Sequence, residues 1–246
     1  MKGLQKLILG NWKMNGSLAA VEAYFSSLLS QTFTTRHTIG LAVPFLYQQA
    51  AQKYLSHLGW WSGVQDVSQF ATAGAYTGEI SANMLKDCRT KFALVGHSER
   101  RKYFQEDNAL IRRKLLRLVE CSVQPVLCIG EKWEDSEKGL TESVLKCQLS
   151  ILEGIELTDL IVAYEPVWAI GSGRIPTLEE IETRAGYIRQ RILSRGIEAD
   201  RMAVLYGGSV NSMNASSITS LPSVEGLLVG GSSLKPQDFV EVIQAV

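Results

Sequence analysis

The chain has 246 residues, and hydrophobic residues make up 46% of them and charged residues 20%. That composition supports a sizeable buried core and excludes a disordered or fibrous chain. Lysine plus arginine and aspartate plus glutamate both number 25, so the formal net charge is zero. A nucleic-acid-binding or membrane-surface protein normally has a basic excess, so both classes are disfavoured. The composition indicates a soluble globular enzyme or binding domain.

Cysteine usage and the N-terminal sequence favour a cytosolic location. None of the four cysteines forms a Cys-x-x-Cys pair, and reduced thiols are the commoner interpretation in a chain of this length, with two disulfides as the alternative. The apolar stretch at residues 7–9 is followed at once by Gly10 and Asn11, so it is too short for a signal-peptide core. No apolar run approaches the ~18 residues that a membrane-spanning helix needs.

Short apolar runs recur along the chain with helix-like segments between them. The runs are residues 6–10, 39–43, 63–65, 92–96, 125–130, 160–164, 203–207 and 226–230. Most are continuously apolar, which is typical of parallel strands covered on both faces. Two intervening segments carry an apolar stripe at helical spacing, one from Leu18 to Leu29 and one from Leu178 to Ile192. Thr177 and Glu180 predict a capping box at the start of the second.

The number and spacing of these units predict the fold. Eight strand-and-helix units in 246 residues give about 31 residues each, which suits a βα repeat. No low-complexity linker divides the chain, so residues 1–246 are predicted to form one domain. Eight units favour a closed (β/α)₈ barrel of parallel strands ringed by helices over an open doubly wound sheet. In such a barrel the chemistry lies at the C-terminal ends of the strands and in the following loops.

Polar residues follow the first and fourth predicted strands at this end of the barrel. Asn11 and Lys13 end the first strand, and a lysine near the barrel mouth can anchor an anion; a turn cap and a solvated lysine are the structural alternatives. His97 lies between the fourth strand and a helix-like segment. The N–H groups of a helix N-terminus disfavour the imidazolium and leave a neutral ring that can donate a proton. A purely structural histidine is the alternative.

Glu165 follows the sixth predicted strand and precedes Pro166. A carboxylate that emerges from an apolar strand at a barrel mouth is a general-base candidate, because partial desolvation favours proton uptake. The structural alternative is a buried ion pair with Arg100 or Arg101, the arginines that follow His97.

Glycine-rich segments follow the last three predicted strands. They are Gly171-Ser172-Gly173, Gly207-Gly208-Ser209 and Gly230-Gly231-Ser232. In these barrels, phosphate sites form from backbone N–H groups after strands seven and eight, so the segments together predict a phosphate site. Residues 166–176 predict a lid, stiffened at Pro166 and permissive at its glycines, with a plain long turn as the alternative.

Five motifs in this order make the chain resemble the triosephosphate isomerase family. They are Asn11-Trp12-Lys13-Met14-Asn15, Val95-Gly96-His97-Ser98-Glu99-Arg100-Arg101, residues 163–171, Tyr206-Gly207-Gly208-Ser209-Val210 and Leu228-Val229-Gly230-Gly231. The resemblance extends from the first strand to residues 234–236, nearly the whole chain. It implies a TIM barrel that interconverts dihydroxyacetone phosphate and D-glyceraldehyde 3-phosphate in glycolysis and gluconeogenesis, with no cofactor or metal.

The resemblance also implies catalytic roles. Glu165 would move a proton between the two reacting carbons. His97 would polarise the carbonyl and shuttle protons between the two oxygens of the enediolate. Asn11 and Lys13 would stabilise the negative oxygen, and Glu99 resembles the family's carboxylate near that lysine.

Substrate binding and assembly are implied in the same way. The phosphate-binding residues would be Asn11, Lys13, Gly171, Ser209, Gly230 and Gly231. Residues 75–81 resemble the loop that inserts into a second subunit, where Thr77 would approach Asn11 and Lys13 of the partner subunit. The resemblance therefore implies a homodimer.

Some positions depart from the family's usual pattern, and two other functions stay open. Ser172 stands in place of a threonine, Arg174 in place of a lysine, and Ser232 in place of an alanine after the glycine pair. Pro176 stands where small residues usually form the second hinge, so lid kinetics are expected to differ from the family norm. An aldolase-type barrel would need a Schiff-base lysine deep in a strand. A barrel without catalytic activity would serve as a binding or adhesion protein.

Overall fold

The sheet of the protein is a closed barrel of eight parallel strands in sequential order, with β8 paired to β1. The computed structural model describes residues 5–31, 34–71, 73–170 and 174–246. The strands are β1 (Leu7–Asn11), β2 (Thr38–Val43), β3 (Trp61–Val64), β4 (Phe92–Val95), β5 (Gln124–Ile129), β6 (Leu160–Tyr164), β7 (Met202–Tyr206) and β8 (Gly226–Val229). The predicted (β/α)₈ barrel is confirmed.

Helices follow every strand and ring the barrel. They are α1 (Leu18–Leu29), α2 (Phe45–Leu58), α3 (Ala82–Asp87), α4 (Ser98–Tyr103), α5 (Asn108–Glu120), α6 (Trp133–Glu137), α7 (Thr141–Leu149), α8 (Leu178–Leu193), α9 (Ala215–Thr219) and α10 (Pro236–Ala245). Short 3₁₀ helices include Val167–Ala169 and Gly231–Leu234. Within the described ranges, no helix combines the length and the apolar character needed to cross a bilayer.

Both faces of the strands are buried, which explains their continuously apolar sequences. Alternate strand residues such as Leu9 and Phe92 belong to one buried cluster, and their neighbours such as Ile8 and Ala93 belong to a second cluster shared with the helices. The centres of the predicted helix stripes are buried as expected. The first residue of each stripe, Leu18 and Leu178, is exposed, and so is Leu29 at the end of the first stripe, whereas Ile192 at the end of the second is buried.

The third strand differs in position from its prediction at residues 63–65. It begins at Trp61, which is in register with Gly40 of β2, and ends at Val64. Gln65 lies beyond the strand, and its side-chain amide donates to the carbonyls of Lys13 and Ala42, at 2.8 and 3.1 Å.

The capping box of α8 provides a test of how this helix is stabilised. The Thr177 hydroxyl accepts from the Glu180 N–H at 3.2 Å, and the Glu180 carboxylate accepts from the Thr177 N–H at 2.7 Å. We expect Thr177→Ala to lower the free energy of unfolding by about 1 kcal/mol, because one helix-terminal N–H loses its acceptor. Urea denaturation checks this, with Thr158→Ala, an exposed loop threonine, as the control. An equal loss in the two variants would contradict it.

Candidate active site

Closure of the barrel brings the predicted polar residues to one rim. Asn11 is the last residue of β1, His97 is the N-cap of α4 just beyond β4, and Glu165 directly follows β6. Together with Lys13 they line a cavity of about 410 Å³. The same cavity is lined by the predicted phosphate-binding residues Ser209, Gly230 and Gly231.

Glu165 and His97 contact each other inside this cavity, and both are buried. Glu165 Oε1 lies 3.1 Å from His97 Nε2, and Glu165 Oε2 accepts from the Ser98 N–H at 3.3 Å. On the other side of the ring, His97 Nδ1 accepts from the Glu99 N–H at 3.2 Å. Because Nδ1 accepts, the hydrogen-bond pattern assigns the ring proton to Nε2, which faces the carboxylate and the cavity.

The direction of the His97 pKa differs from the expectation based on the helix terminus. Burial by itself lowers the pKa of His97, but the carboxylates of Glu165 and Glu99 act in the opposite direction and raise it above its ordinary value. The helix N-terminus does supply the expected N–H to Nδ1, but the carboxylates determine the net direction of the His97 pKa. Its cause is the contact with Glu165, whose presence against Nε2 the sequence did not reveal.

Neither arginine that follows His97 pairs with Glu165. Arg100 binds Asp66 and Glu106 at 2.9 and 2.6 Å. Arg101 donates to the carbonyl of Gly96 at 2.8 Å and to the side chain of Asn108. The structure therefore does not contain the buried Glu165–arginine pair that was the structural alternative.

Lys13 is held at the cavity by three neighbours. The Lys13 ammonium lies 2.6 Å from Glu99 Oε1, and the Lys13 backbone N–H donates to Asn11 Oδ1 at 2.9 Å. Its carbonyl accepts from the Gln65 amide at 2.8 Å. The backbone of Lys13 has a φ of 53°, a left-handed conformation that is strained for a residue with a side chain. No local pattern in the sequence indicates that Gln65 supports this conformation.

Gly130, which follows β5, is a further site residue that sequence reasoning missed. A Cβ at this position would lie 1.7 Å from the carbonyl oxygen of Glu165, so only glycine lets the Glu165 backbone pass. The Gln148 amide fixes Gly130 from the other side, accepting from its N–H at 2.8 Å and donating to its carbonyl at 3.0 Å. A glycine directly after an apolar strand was the available signal.

The glycine-rich loops after β7 and β8 form the opposite wall of the cavity. The Ser209 hydroxyl donates to the Ala169 carbonyl at 2.7 Å, and the Ser232 hydroxyl joins the two loops by donating to the Val210 carbonyl at 2.8 Å. The backbone N–H groups of Ser209, Gly231 and Ser232 have no acceptor among the described residues. They are available to an anion. The predicted phosphate-binding residue Gly171 lies outside the described residues, as does the tip of the predicted lid.

Thr77 does not line the cavity. Residues 73–79 are exposed throughout, so Thr77 lies on the surface of the single chain. In the part of the chain that the structure describes, no group of three or more His, Cys, Asp or Glu side chains is placed to hold a metal ion.

Comparison with known proteins identifies the family. The family model described as triosephosphate isomerase matches residues 6–246. The triosephosphate isomerase of Albidiferax ferrireducens is 42% identical over 242 residues, covering 97% of this chain and 98% of the relative. Those of Neisseria meningitidis and Delftia acidovorans are each 43% identical, over 98% of this chain and 97% and 98% of their own lengths. This chain belongs to the triosephosphate isomerase family.

Proposed function

We propose that this chain interconverts dihydroxyacetone phosphate and D-glyceraldehyde 3-phosphate through an enediolate. The observation that carries this proposal is the convergence of a carboxylate, an imidazole and an ammonium group on one cavity. Their distances support it: Glu165 and His97 are 3.1 Å apart, and Lys13 is paired with Glu99 at 2.6 Å. Family membership supports the same reaction.

Glu165 acts as the base that removes a proton from the carbon beside the carbonyl and returns it to the neighbouring carbon. In the present arrangement its two oxygens contact Ser98 N–H and His97 Nε2. The carboxylate must exchange these contacts for the substrate before it can act. The arrangement described here is therefore a resting one.

His97 acts on the two substrate oxygens. Its Nε2 proton, which now faces Glu165, is the group that polarises the carbonyl and passes protons between the enediolate oxygens. When Glu165 moves toward the substrate carbon, the carboxylate that raises the His97 pKa moves away from the ring. Burial and the hydrogen bond from the Glu99 N–H then favour the neutral imidazole.

Lys13 and Asn11 stabilise the negative charge that develops on the substrate oxygen, and Lys13 also balances the phosphate. General acid–base catalysis contributes about 10²–10⁴-fold to a rate, and one well-placed oxyanion donor about 10²–10³-fold. Neither suffices alone, so binding of the phosphate must supply further transition-state stabilisation. Ser209, Gly230 and Gly231 line the cavity, which supports the proposal that their backbone N–H groups bind the phosphate. Gly171 is proposed to join them.

A Schiff-base aldolase is disfavoured by the strands themselves. As the structure bounds them, none of the eight strands contains a lysine. Lys114 is buried, but it lies on α5 and is paired with Asp66 and Glu106, each at 2.6 Å. A barrel with only a binding role would not require Glu165, His97 and Lys13 to share one cavity. We propose that the reaction uses neither metal nor cofactor.

Surface exposure supports a homodimer. Met14, next to Lys13, is 97% exposed in the single chain, and Leu46 is 80% exposed. Met14 adjoins Lys13, which the family resemblance brings close to the loop of a second subunit, so we propose that this subunit covers Met14. Thr77, on its exposed loop, is proposed to approach Asn11 and Lys13 of the partner subunit. The four free cysteines, two of them exposed, fit the reducing cytoplasm, where we place the enzyme in glycolysis and gluconeogenesis.

A coupled isomerase assay tests the role of Glu165. We expect Glu165→Ala to lower turnover by about 10²–10⁴-fold, because the general base is lost. Glu156→Ala, an exposed glutamate in the loop before β6, is the matched control and should retain full turnover. Comparable turnover in Glu165→Ala and wild type would refute the assignment. Borohydride added with substrate should trap no adduct, whereas a covalent adduct would favour the aldolase.

Titration of His97 tests its electrostatic coupling to Glu165. We expect Glu165→Gln to lower the pKa of His97, because the carboxylate that raises it is removed while burial still lowers it. NMR of the His97 ring protons across pH measures this. The titration of His37, which does not line the cavity, serves as the internal control. An unchanged or higher His97 pKa would contradict the assigned contact.

Sedimentation velocity tests the homodimer. We expect wild type to sediment as a dimer and Met14→Lys to shift toward the monomer with loss of activity, because a charge replaces an apolar side chain at the interface. Met213→Lys, a change at a similarly exposed methionine after β7, should leave the sedimentation unchanged. A fully active wild-type monomer would overturn the proposal.

A further inference from the structure

Four charged side chains that do not line the cavity form a closed ring of ion pairs. Asp66 Oδ2 lies 2.9 Å from Arg100 Nη2, and Asp66 Oδ1 lies 2.6 Å from Lys114 Nζ. Glu106 Oε1 lies 2.6 Å from both Arg100 Nε and Lys114 Nζ. Negative and positive groups therefore alternate around these four residues, which we call the charge ring.

The charge ring is largely withdrawn from water. The side chains of Glu106 and Lys114 are 3% and 6% exposed, and that of Asp66 is 17% exposed. At such burial, removing one partner of an ion pair leaves an uncompensated charge on the other. Since each member of the ring is paired with two members of opposite charge, the geometry of the ring depends on all four.

Two members of the charge ring are next in sequence to the residues that support Lys13. Asp66 follows Gln65, whose side-chain amide donates to the Lys13 carbonyl at 2.8 Å. Arg100 follows Glu99, whose carboxylate lies 2.6 Å from the Lys13 ammonium. The ion pair between Asp66 and Arg100 therefore joins the support of the Lys13 backbone to the support of the Lys13 ammonium.

The strained backbone of Lys13 makes these supports important. Its φ of 53° lies in the left-handed region, and a residue with a side chain stays there only when its surroundings hold it. Gln65 and Glu99 hold it from two sides, and the distance between them is set by the pair of Asp66 with Arg100. Loosening that pair lets the ammonium shift from the place where it faces the cavity.

We propose that Asp66 is a positioning residue for Lys13, acting through Gln65 and through its ion pair with Arg100. The inference rests on the proposed function, in which Lys13 balances the phosphate and stabilises the negative oxygen of the substrate. Asp66 does not line the cavity, so its effect on substrate passes through Lys13.

The charge ring requires a carboxylate at position 66, because Asp66 meets the two cations with separate oxygens. Asparagine has the same shape but one oxygen and one NH2 group. In Asp66→Asn a donor therefore faces either Arg100 or Lys114, whose side chains are donors only. Glu106 is then the one carboxylate that the ring keeps between its two cations. We expect the link between the loop after β3 and α4 to loosen and Lys13 to lose its fixed position.

The decisive measurement compares kcat, KM and the dissociation constant of inorganic phosphate in wild type and Asp66→Asn. We expect KM and the phosphate dissociation constant each to rise about fivefold and kcat to fall about twofold to fivefold, because a misplaced ammonium weakens both binding and catalysis. Glu225→Gln is the matched control. It removes the charge of a partly buried carboxylate that pairs with Arg189 at the opposite end of the barrel, and it should leave all three constants unchanged.

A double-variant cycle separates the positioning of Lys13 from a general structural role. If Asp66 acts through Lys13, adding Asp66→Asn to Lys13→Met should change the phosphate dissociation constant by less than about twofold. A merely structural role predicts the same rise in both backgrounds. NMR titration with phosphate measures these constants, because it detects weak binding and does not depend on turnover.

An unchanged KM and phosphate dissociation constant in Asp66→Asn would overturn the inference, as would an additive effect in the double variant. A loss of thermal stability with all three constants retained would do the same. If Asp66→Asn fails to fold, Arg100→Lys takes its place, because one ammonium cannot span Asp66 and Glu106 as the guanidinium does. An unchanged phosphate dissociation constant in Arg100→Lys then overturns the inference. Failure of the proposed function is recognised separately, because wild type itself would show no isomerisation.

Discussion

Closure of the eight-stranded sheet is the constraint on which the site depends. Pairing of β8 with β1 and of each other strand with its successor forces all strand C-termini to one rim. Asn11, His97 and Glu165, which are far apart in sequence, meet there for that reason. The Glu165 backbone passes so close to Gly130 that a side chain at this position would clash with it. The architecture that assembles the reactive groups also dictates which positions around them are glycine.

The burial of Glu165 explains the resting arrangement. A buried carboxylate is costly unless hydrogen bonds replace its water, and in the single chain these come from the Ser98 N–H and from His97. The contact that stabilises the carboxylate also raises the pKa of its neighbour. A substrate must displace that contact, so the two groups begin to act on substrate only when they separate. Phosphate binding, on the opposite wall, is the available source of free energy for that change.

The sequence predicts the barrel and the residues that lie at its C-terminal rim, because the continuous apolar strands and their order determine both. Asn11, His97 and Glu165 were identifiable since each stands where an apolar strand ends. Contacts between segments distant in sequence were not predictable. Neither the support of Lys13 by Gln65 nor the direction of the His97 pKa follows from a local pattern. Each depends on where a second side chain lies in three dimensions.

The differences between this chain and the family's usual pattern lie beside the reacting groups rather than among them. Arg174 contacts Trp133, and Ser232 joins the loops after β7 and β8 through the Val210 carbonyl. Both contacts lie outside the set of atoms that transfer protons, so the groups that the proposed reaction requires, Glu165, His97 and Lys13, are all retained.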